Sequence, residues 1–267
     1  MNKRLIINAD DFGFDRDATA AILDLLIEQK ISSTTVLANM AKQSDLNKLK
    51  KIPNIGIGLH VNFLDGEPLA PSQHISSILD EKGSFLGAKQ LFYQALKGKI
   101  NPIHLSTELE AQANFLKDHG IKITHADSHQ HLHHFPIIGK IIQNKLHELG
   151  IQKIRNSDTN SITSKPRSLI LKGFTSFTPI NQKLFTTTEG LISDLSFGKE
   201  INQKLMLQSL IKSFKSQNLL ELMTHPGIAN RADSYLEREK EYQLWKSINL
   251  VEELAALGIE LIHFGEI

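Results

Sequence analysis

The stretch THADSHQHLHHFP, residues 124 to 136, sets His125, Asp127, His129, His131 and His133 at every second position, in a chain with twelve histidines among 267 residues. In an extended strand, side chains at i, i+2 and i+4 share one face, so Ile123, His125 and Asp127 are predicted to point the same way. Neutral imidazole is the commonest metal ligand and carboxylate a frequent companion, which makes this segment the first place to look for a bound metal. A solvated histidine-rich loop is the competing reading of the segment taken alone. What decides between them is where the other candidate ligands sit.

Outward from this segment, short apolar runs alternate with longer amphipathic ones, the pattern of repeated βα units. Strands are expected at Arg4 to Ala9, Ser33 to Asn39, Asn54 to Asn62, Ile121 to Asp127, Gln152 to Asn156, Leu219 to Thr224 and Ile259 to Phe264. Helical periodicity appears at Asp17 to Gln29, Ser106 to His119, Ile137 to Leu149, Lys199 to Ser216 and Leu236 to Leu257. Gly120, Gly150 and Gly258 each close a helical pattern and precede a strand, as a C-terminal glycine does. The rhythm and the length together predict a single-domain α/β fold, a (β/α) barrel of about seven parallel strands over residues 1–267. Two stretches, 65–103 and 157–198, are too long for ordinary βα connections and are read as lids or substrate walls.

Composition narrows the function. Thirty Lys plus Arg balance 29 Asp plus Glu, for a formal charge of +1, so no broad basic face for nucleic acid is expected. Cysteine is absent, which excludes disulfides, thiolate ligands and cysteine nucleophiles. The N-terminal MNKRLIINADDFG has a short apolar run interrupted by Asn8 and two aspartates, and is read as neither a signal peptide nor a membrane span; a cytoplasmic protein is the expectation.

Four of the predicted strands end in residues suited to metal chemistry: Asp10 and Asp11 on the first, His60 on the third, His125 on the fourth, and His225 after Thr224. In parallel α/β barrels the active site gathers at the C-terminal ends of the strands, so these residues should converge. His60, in GIGLHVNF, shares a strand face with Gly56, Gly58 and Asn62. One carboxylate and two imidazoles make a three-ligand site with positions open for water and substrate, and the second carboxylate of the doublet is then free to act as a general base. Adjacent strand residues point to opposite faces, so Asp10 and Asp11 can serve one site only if the strand ends or bulges beside Gly13.

With these residues assembled, the chain resembles the YdjC-type carbohydrate deacetylases, the family that includes chito-oligosaccharide deacetylase and the hopanoid-associated deacetylase-like proteins. Four segments carry the resemblance: INADDFGFD at 7–15, GLHVNFLDGEPL at 58–69, THADSHQHLHHFP at 124–136 and ELMTHPG at 221–227. It implies a distorted (β/α) barrel related to polysaccharide deacetylases, one divalent metal ion (zinc or magnesium), and removal of an acetyl group from an N-acetylated sugar. Carried over by motif, Asp11, His60 and His125 become the metal ligands, Asp10 the base and His225 the acid. Asn62, Asp127, His129, His131 and Arg155 are read as residues that bind substrate or orient ligands, with His129 or His131 open as a replacement for one of the three ligands. Arg155 is placed to hold Asp10 or the substrate. Phe85, after Gly83 and Ser84, is expected to stack on a sugar ring. The expected partner is a small carbohydrate, with no nucleic acid and no membrane; association into a homodimer stays open. A metallophosphoesterase and a catalytically silent sugar-binding regulator are the competing functions.

Overall fold

The computed structural model describes residues 2–158, 166–193 and 202–267, with backbone only for 166–171. Seven strands form one parallel sheet: β1 (Lys3–Phe12), β2 (Ser33–Val36), β3 (Gly56–Val61), β4 (His125–Ser128), β5 (Gly190–Ile192), β6 (Leu219–Thr224) and β7 (Ile259–Leu261). Their order is β4-β3-β2-β1-β6-β5, and β7 pairs with the first residues of β1. Parallel neighbours need crossover connections, and helices supply them on the outer face. These include α1 (Arg16–Ile27), α2 (Gln43–Leu49), α3 (Gly87–Leu96), α4 (Pro102–Asp118), α5 (Ile138–Glu148), α6 (Pro166–Phe177), α7 (Gln203–Ser213), α8 (Arg238–Ser247) and α9 (Leu250–Ala256).

The sheet curls toward closure through the segment after α5. Ala126 pairs with Ile154 and Lys153 with Thr186 in single bridges, and Leu191 N donates to Asp158 O at 3.0 Å. Residues 153–158 thus stand between β4 and β5, completing a distorted barrel of the kind the βα rhythm predicts. The expected strand at Gln152–Asn156 is present as this bridging segment, whereas β5, three residues long, is too short for alternation to reveal.

Strand alternation sorts the core into two compartments. Leu5, Ile7 and Ala9 of β1 face outward into the large cluster shared with the helices, while Ile6 faces inward against Leu219, Ile262 and Phe264, which plug the bottom of the barrel. On α1 the fully buried Ala21, Ile22 and Leu25 point at the sheet, and each large apolar side chain so buried contributes about 1.5–3 kcal/mol. That outweighs the N-cap of the same helix, Asp15 Oδ1 accepting from Ala18 N at 2.7 Å, which contributes about 1 kcal/mol. Gly120, Gly150 and Gly258 all take positive φ after their helices, as expected. The pattern from Leu236 to Leu257 is two helices, because Ile248 turns to extended backbone (φ −81°, ψ 137°) with its side chain buried between them.

The segment 65–103 is built from two short 3-10 turns and α3. Of the segment 157–198, residues 159–165 and 194–198 lie outside the described residues. No helix among the described residues is long and apolar enough to cross a membrane.

Candidate functional site

The C-terminal end of β1 resolves the problem posed by an aspartate doublet on a strand. Its register against β2 slips between Ala9 and Phe12, and Asp11 takes φ 69°. A non-glycine residue in that region costs on the order of 1–3 kcal/mol, and here the turn aims two consecutive carboxylates at the same cleft. Asp15 caps α1, so the doublet carries no capping duty.

His60, at the end of β3, sits with Nδ1 2.6 Å from Asp127 Oδ1 of β4, and Thr35 Oγ1 steadies the pair by donating to Asp127 Oδ2 at 3.1 Å. A ring that donates from Nδ1 presents Nε2 as a lone pair, the arrangement that carboxylates impose on metal-binding histidines. His60 Nε2 lies 3.4 Å from Asp11 Oδ1 and 3.3 Å from His129 Nδ1, and His129 Nδ1 lies 3.1 Å from Asp11 Oδ1. Ligand atoms held about 2.0–2.1 Å from one tetrahedral ion stand roughly 3.3 Å apart, so these three atoms have the spacing of one coordination shell. His129 Nε2 carries its own carboxylate, Asp65 Oδ2, at 3.1 Å. Arg238 Nη2 takes the outer oxygen of Asp11, Oδ2, at 2.5 Å and leaves Oδ1 facing the imidazoles.

The electrostatics favour a cation at that triangle. Burial opposes charge on His60, yet Asp127, Asp11 and Asp10 prevail and raise its pKa to about 10; His129 is raised in the same way, against burial, by Asp11 and Asp65. Carboxylates that press protons onto two facing imidazoles are short of positive charge, which a divalent ion between the donors would supply.

Beneath the triangle lies Arg155, completely buried and shared by three carboxylates. Its Nη1 and Nη2 each donate to Asp10 at 2.6 Å, Nη1 also reaches Asp127 Oδ2 at 2.7 Å, and Nε and Nη2 donate to Glu221 Oε1 at 2.8 and 2.6 Å. Burial raises the carboxyl pKa of Asp10, but Arg155 outweighs it and holds Asp10 well below the usual carboxylate range. Glu221 goes the other way, pushed up to about 7 by burial and by the charges of Asp10 and Asp127 against the pull of Arg155. His225 Nε2 stands 3.7 Å from Asp10 Oδ2, and its backbone N–H is fixed by Glu241 Oε2 at 2.6 Å.

His125 is not brought to the triangle. It faces inward like Asp127 but sits one layer lower, its ring stacked on Phe264 at 3.9 Å and its Nε2 3.2 Å from Asn8 Oδ1. Burial and Arg155 hold its pKa well below the usual imidazole range, as befits a neutral core ring. Gly58 is glycine to admit that ring: a Cβ there would lie 2.6 Å from His125 Cε1. The imidazole that joins Asp11 and His60 is His129, because β4 ends at Ser128 and the chain coils into a 3-10 turn, His129–His134. Gln130 and His131 both take left-handed φ (50° and 57°), and the every-second-residue pattern stops there. His131 reaches the cleft with Nδ1 3.0 Å from Ser157 Oγ, while His133 and His134 turn into the wall against Ser128 and Thr178.

Asn62 is fully buried and does not reach the cleft; its side chain accepts from Leu64 N and donates to Asp65 O, so its work is to shape the turn that delivers Asp65 to His129. Phe85 also departs from expectation. It pairs with Leu79 across the turn at Asp80 and is buried in the main core, so it cannot stack on a sugar. The cleft has a volume of about 520 Å³, and its aromatic lining is Phe14, Phe135, Phe174 and Tyr235. From 65–103 only Asp65 lines it among the described residues; much of the wall comes instead from 231–238. A larger groove of about 900 Å³ runs between α1 and α2 and holds none of the converging donors.

Residues that the sequence reading missed are Thr35, Asp65, Glu221 and Arg238. Glu221 left a signal, a lone carboxylate inside the apolar run LLELM. Arg238, in the charged run EREKEY, left none.

The chain is 29% identical to a chitooligosaccharide deacetylase of Yersinia enterocolitica over 277 aligned residues, covering 100% of both chains. It is 26% identical to a carbohydrate deacetylase of Brevibacillus brevis, covering 99% of each. Among solved structures, a provisionally described cellobiose-phosphate cleavage protein of Enterococcus faecalis V583 superposes with a TM-score of 0.81 at 22% identity, covering 100% of this chain and 99% of the other, which establishes a shared fold. The family profile described as YdjC-like protein matches residues 4–256, and the chain belongs to that family.

Proposed function

We propose that the protein is a metal-dependent hydrolase that removes the acetyl group from an N-acetylated amino sugar or oligosaccharide, with Asp11, His60 and His129 holding one divalent ion, zinc or magnesium. The observation that carries this reading is the triangle of Asp11 Oδ1, His60 Nε2 and His129 Nδ1, with edges of 3.1–3.4 Å, opening into a cleft beside a carboxylate that is not one of the three. The names of the full-length relatives, chitooligosaccharide deacetylase and carbohydrate deacetylase, support the choice of substrate.

A divalent ion held by Asp11, His60 and His129 would supply Lewis acidity and lower the pKa of a water. Asp10, ionised by its pairing with Arg155, accepts the proton of the attacking water. His225, on the same side of the cleft, delivers a proton to the departing amine nitrogen, because an amide nitrogen leaves poorly as an anion. Asp127 and Asp65 hold the two imidazoles in the ligating orientation, and Arg238 holds Asp11 to a single inward oxygen. Phe14, Phe135, Phe174 and Tyr235 give the sugar apolar faces to pack on and narrow the access of bulk water. Acetate and a free amino sugar are the products.

The test is acetate release from N-acetylglucosamine oligomers, with phosphate monoesters run in parallel. Acetate with no phosphate release supports the reading; phosphate release without acetate assigns the site to phosphoester hydrolysis.

A further inference from the structure

Glu221 is a carboxylate buried completely inside the barrel, and it is neither one of the three triangle donors nor the proposed base. Its Oε1 takes two of the donors of Arg155, Nε and Nη2, while its Oε2 is buried with no partner. Three carboxyl groups, those of Asp10, Asp127 and Glu221, thus draw on one guanidinium. Replacing a buried ion by an apolar group of similar size is often neutral or stabilising, so fold stability alone does not account for Glu221.

The geometry supplies another reason. Arg155 presents Nη1 and Nη2 to Asp10 in a two-point contact, 2.6 Å on each arm. A guanidinium on a flexible stem has several ways to pair with Asp10 and Asp127, and Glu221 fixes one of them by taking Nε and sharing Nη2. We propose that Glu221 is a positioning residue: it locks the guanidinium of Arg155 from the side away from the cleft, so that Asp10 is held at the angle from which it acts on the substrate. This rests on the proposed role of Asp10 as base.

The experiment compares Glu221→Met, which removes the acceptor, with Glu221→Gln, which keeps an oxygen where Oε1 stands. In a crystal structure of Glu221→Met the proposal expects Arg155 to leave its two-point contact with Asp10, and in Glu221→Gln to keep it. A one-ångström misplacement near a reacting centre costs about a hundredfold in rate. In acetate release, kcat of Glu221→Met should therefore fall by about that factor with KM nearly unchanged, and Glu221→Gln should recover most of it. The melting temperature of Glu221→Met should hold or rise, which separates positioning from a structural role, where stability and activity fall together. Arg155 unmoved in Glu221→Met, or kcat unchanged, overturns the proposal. Should that variant not fold, Glu221→Asp, which withdraws the acceptor by one methylene, is read by the same two measurements. The position of Arg155 is seen whether or not the wild type releases acetate, so failure of the deacetylase reading and failure of this one are told apart.

Discussion

His60 Nδ1 lies 2.6 Å from Asp127 Oδ1, and that one hydrogen bond decides which nitrogen of His60 faces the cleft. With Nδ1 occupied, Nε2 meets Asp11 and His129. Asp127 therefore works through His60, and its loss should weaken metal binding without removing a ligand. Asp127→Asn is expected to lower metal affinity about 10- to 100-fold, measured by calorimetric titration of the metal-stripped protein. An unchanged affinity would mean that His60 is oriented by something else.

Two of the imidazoles of the THADSHQH run, His125 and His129, are expected to separate cleanly under mutation. His129→Ala should lose the bound ion. His125→Ala should keep it and lose about 2–4 kcal/mol of stability, because the ring fills the space between Phe264 and Gly58. Elemental analysis together with thermal unfolding decides, and metal loss confined to His125→Ala would reverse the assignment.

Asp10→Asn removes the proposed base but no proposed ligand. Metal content and fold should persist while kcat drops about 10²- to 10⁴-fold, the usual contribution of a general base. Full turnover with the metal bound would place the base elsewhere.

Glu221 gives a stability signature in pH. Its carboxyl is held near 7 in the folded protein against an ordinary 4.5, so folding takes up a proton between those values and the stability tied to this group falls as pH rises through that window. Glu221→Gln cannot titrate. The melting temperature of the variant relative to wild type should climb from about pH 4.5 to about pH 7 and level off above. A constant offset across that range would contradict the burial of an ionisable group at this position.

Phe85→Ala is expected to cost about 3–5 kcal/mol in chemical denaturation while leaving metal content and substrate preference alone, since the ring belongs to the core. A changed chain-length preference at full stability would return it to the cleft.

The layout of the barrel was legible because its signals are local and repetitive: apolar runs of strand length, amphipathic helices and closing glycines. The site was legible only as far as strand periodicity holds. Asp10, Asp11, His60 and His225 lie at strand ends and come together. Alternation turns His125 inward but fails past Ser128, where two left-handed residues redirect the chain, so the strand period could not show that His129 is the imidazole that meets Asp11 and His60. Asp11 needed a positive φ that its own residue type does not announce. Phe85 was misplaced for a related reason: glycine and serine before it mark the turn at Asp80 but not which side of the hairpin faces the core. Arg238 arrives from a helix more than two hundred residues away from Asp11, and only the closing of the barrel joins them.

The most direct measurement is acetate release from N-acetylglucosamine oligomers by the purified protein after removal of metal by chelation and again after restoring zinc or magnesium, with His129→Ala treated alongside. Activity should vanish on chelation, return with the ion in the wild type, and fail to return in His129→Ala. Acetate release that survives chelation, or that His129→Ala retains in full, would contradict a metal centre built on Asp11, His60 and His129.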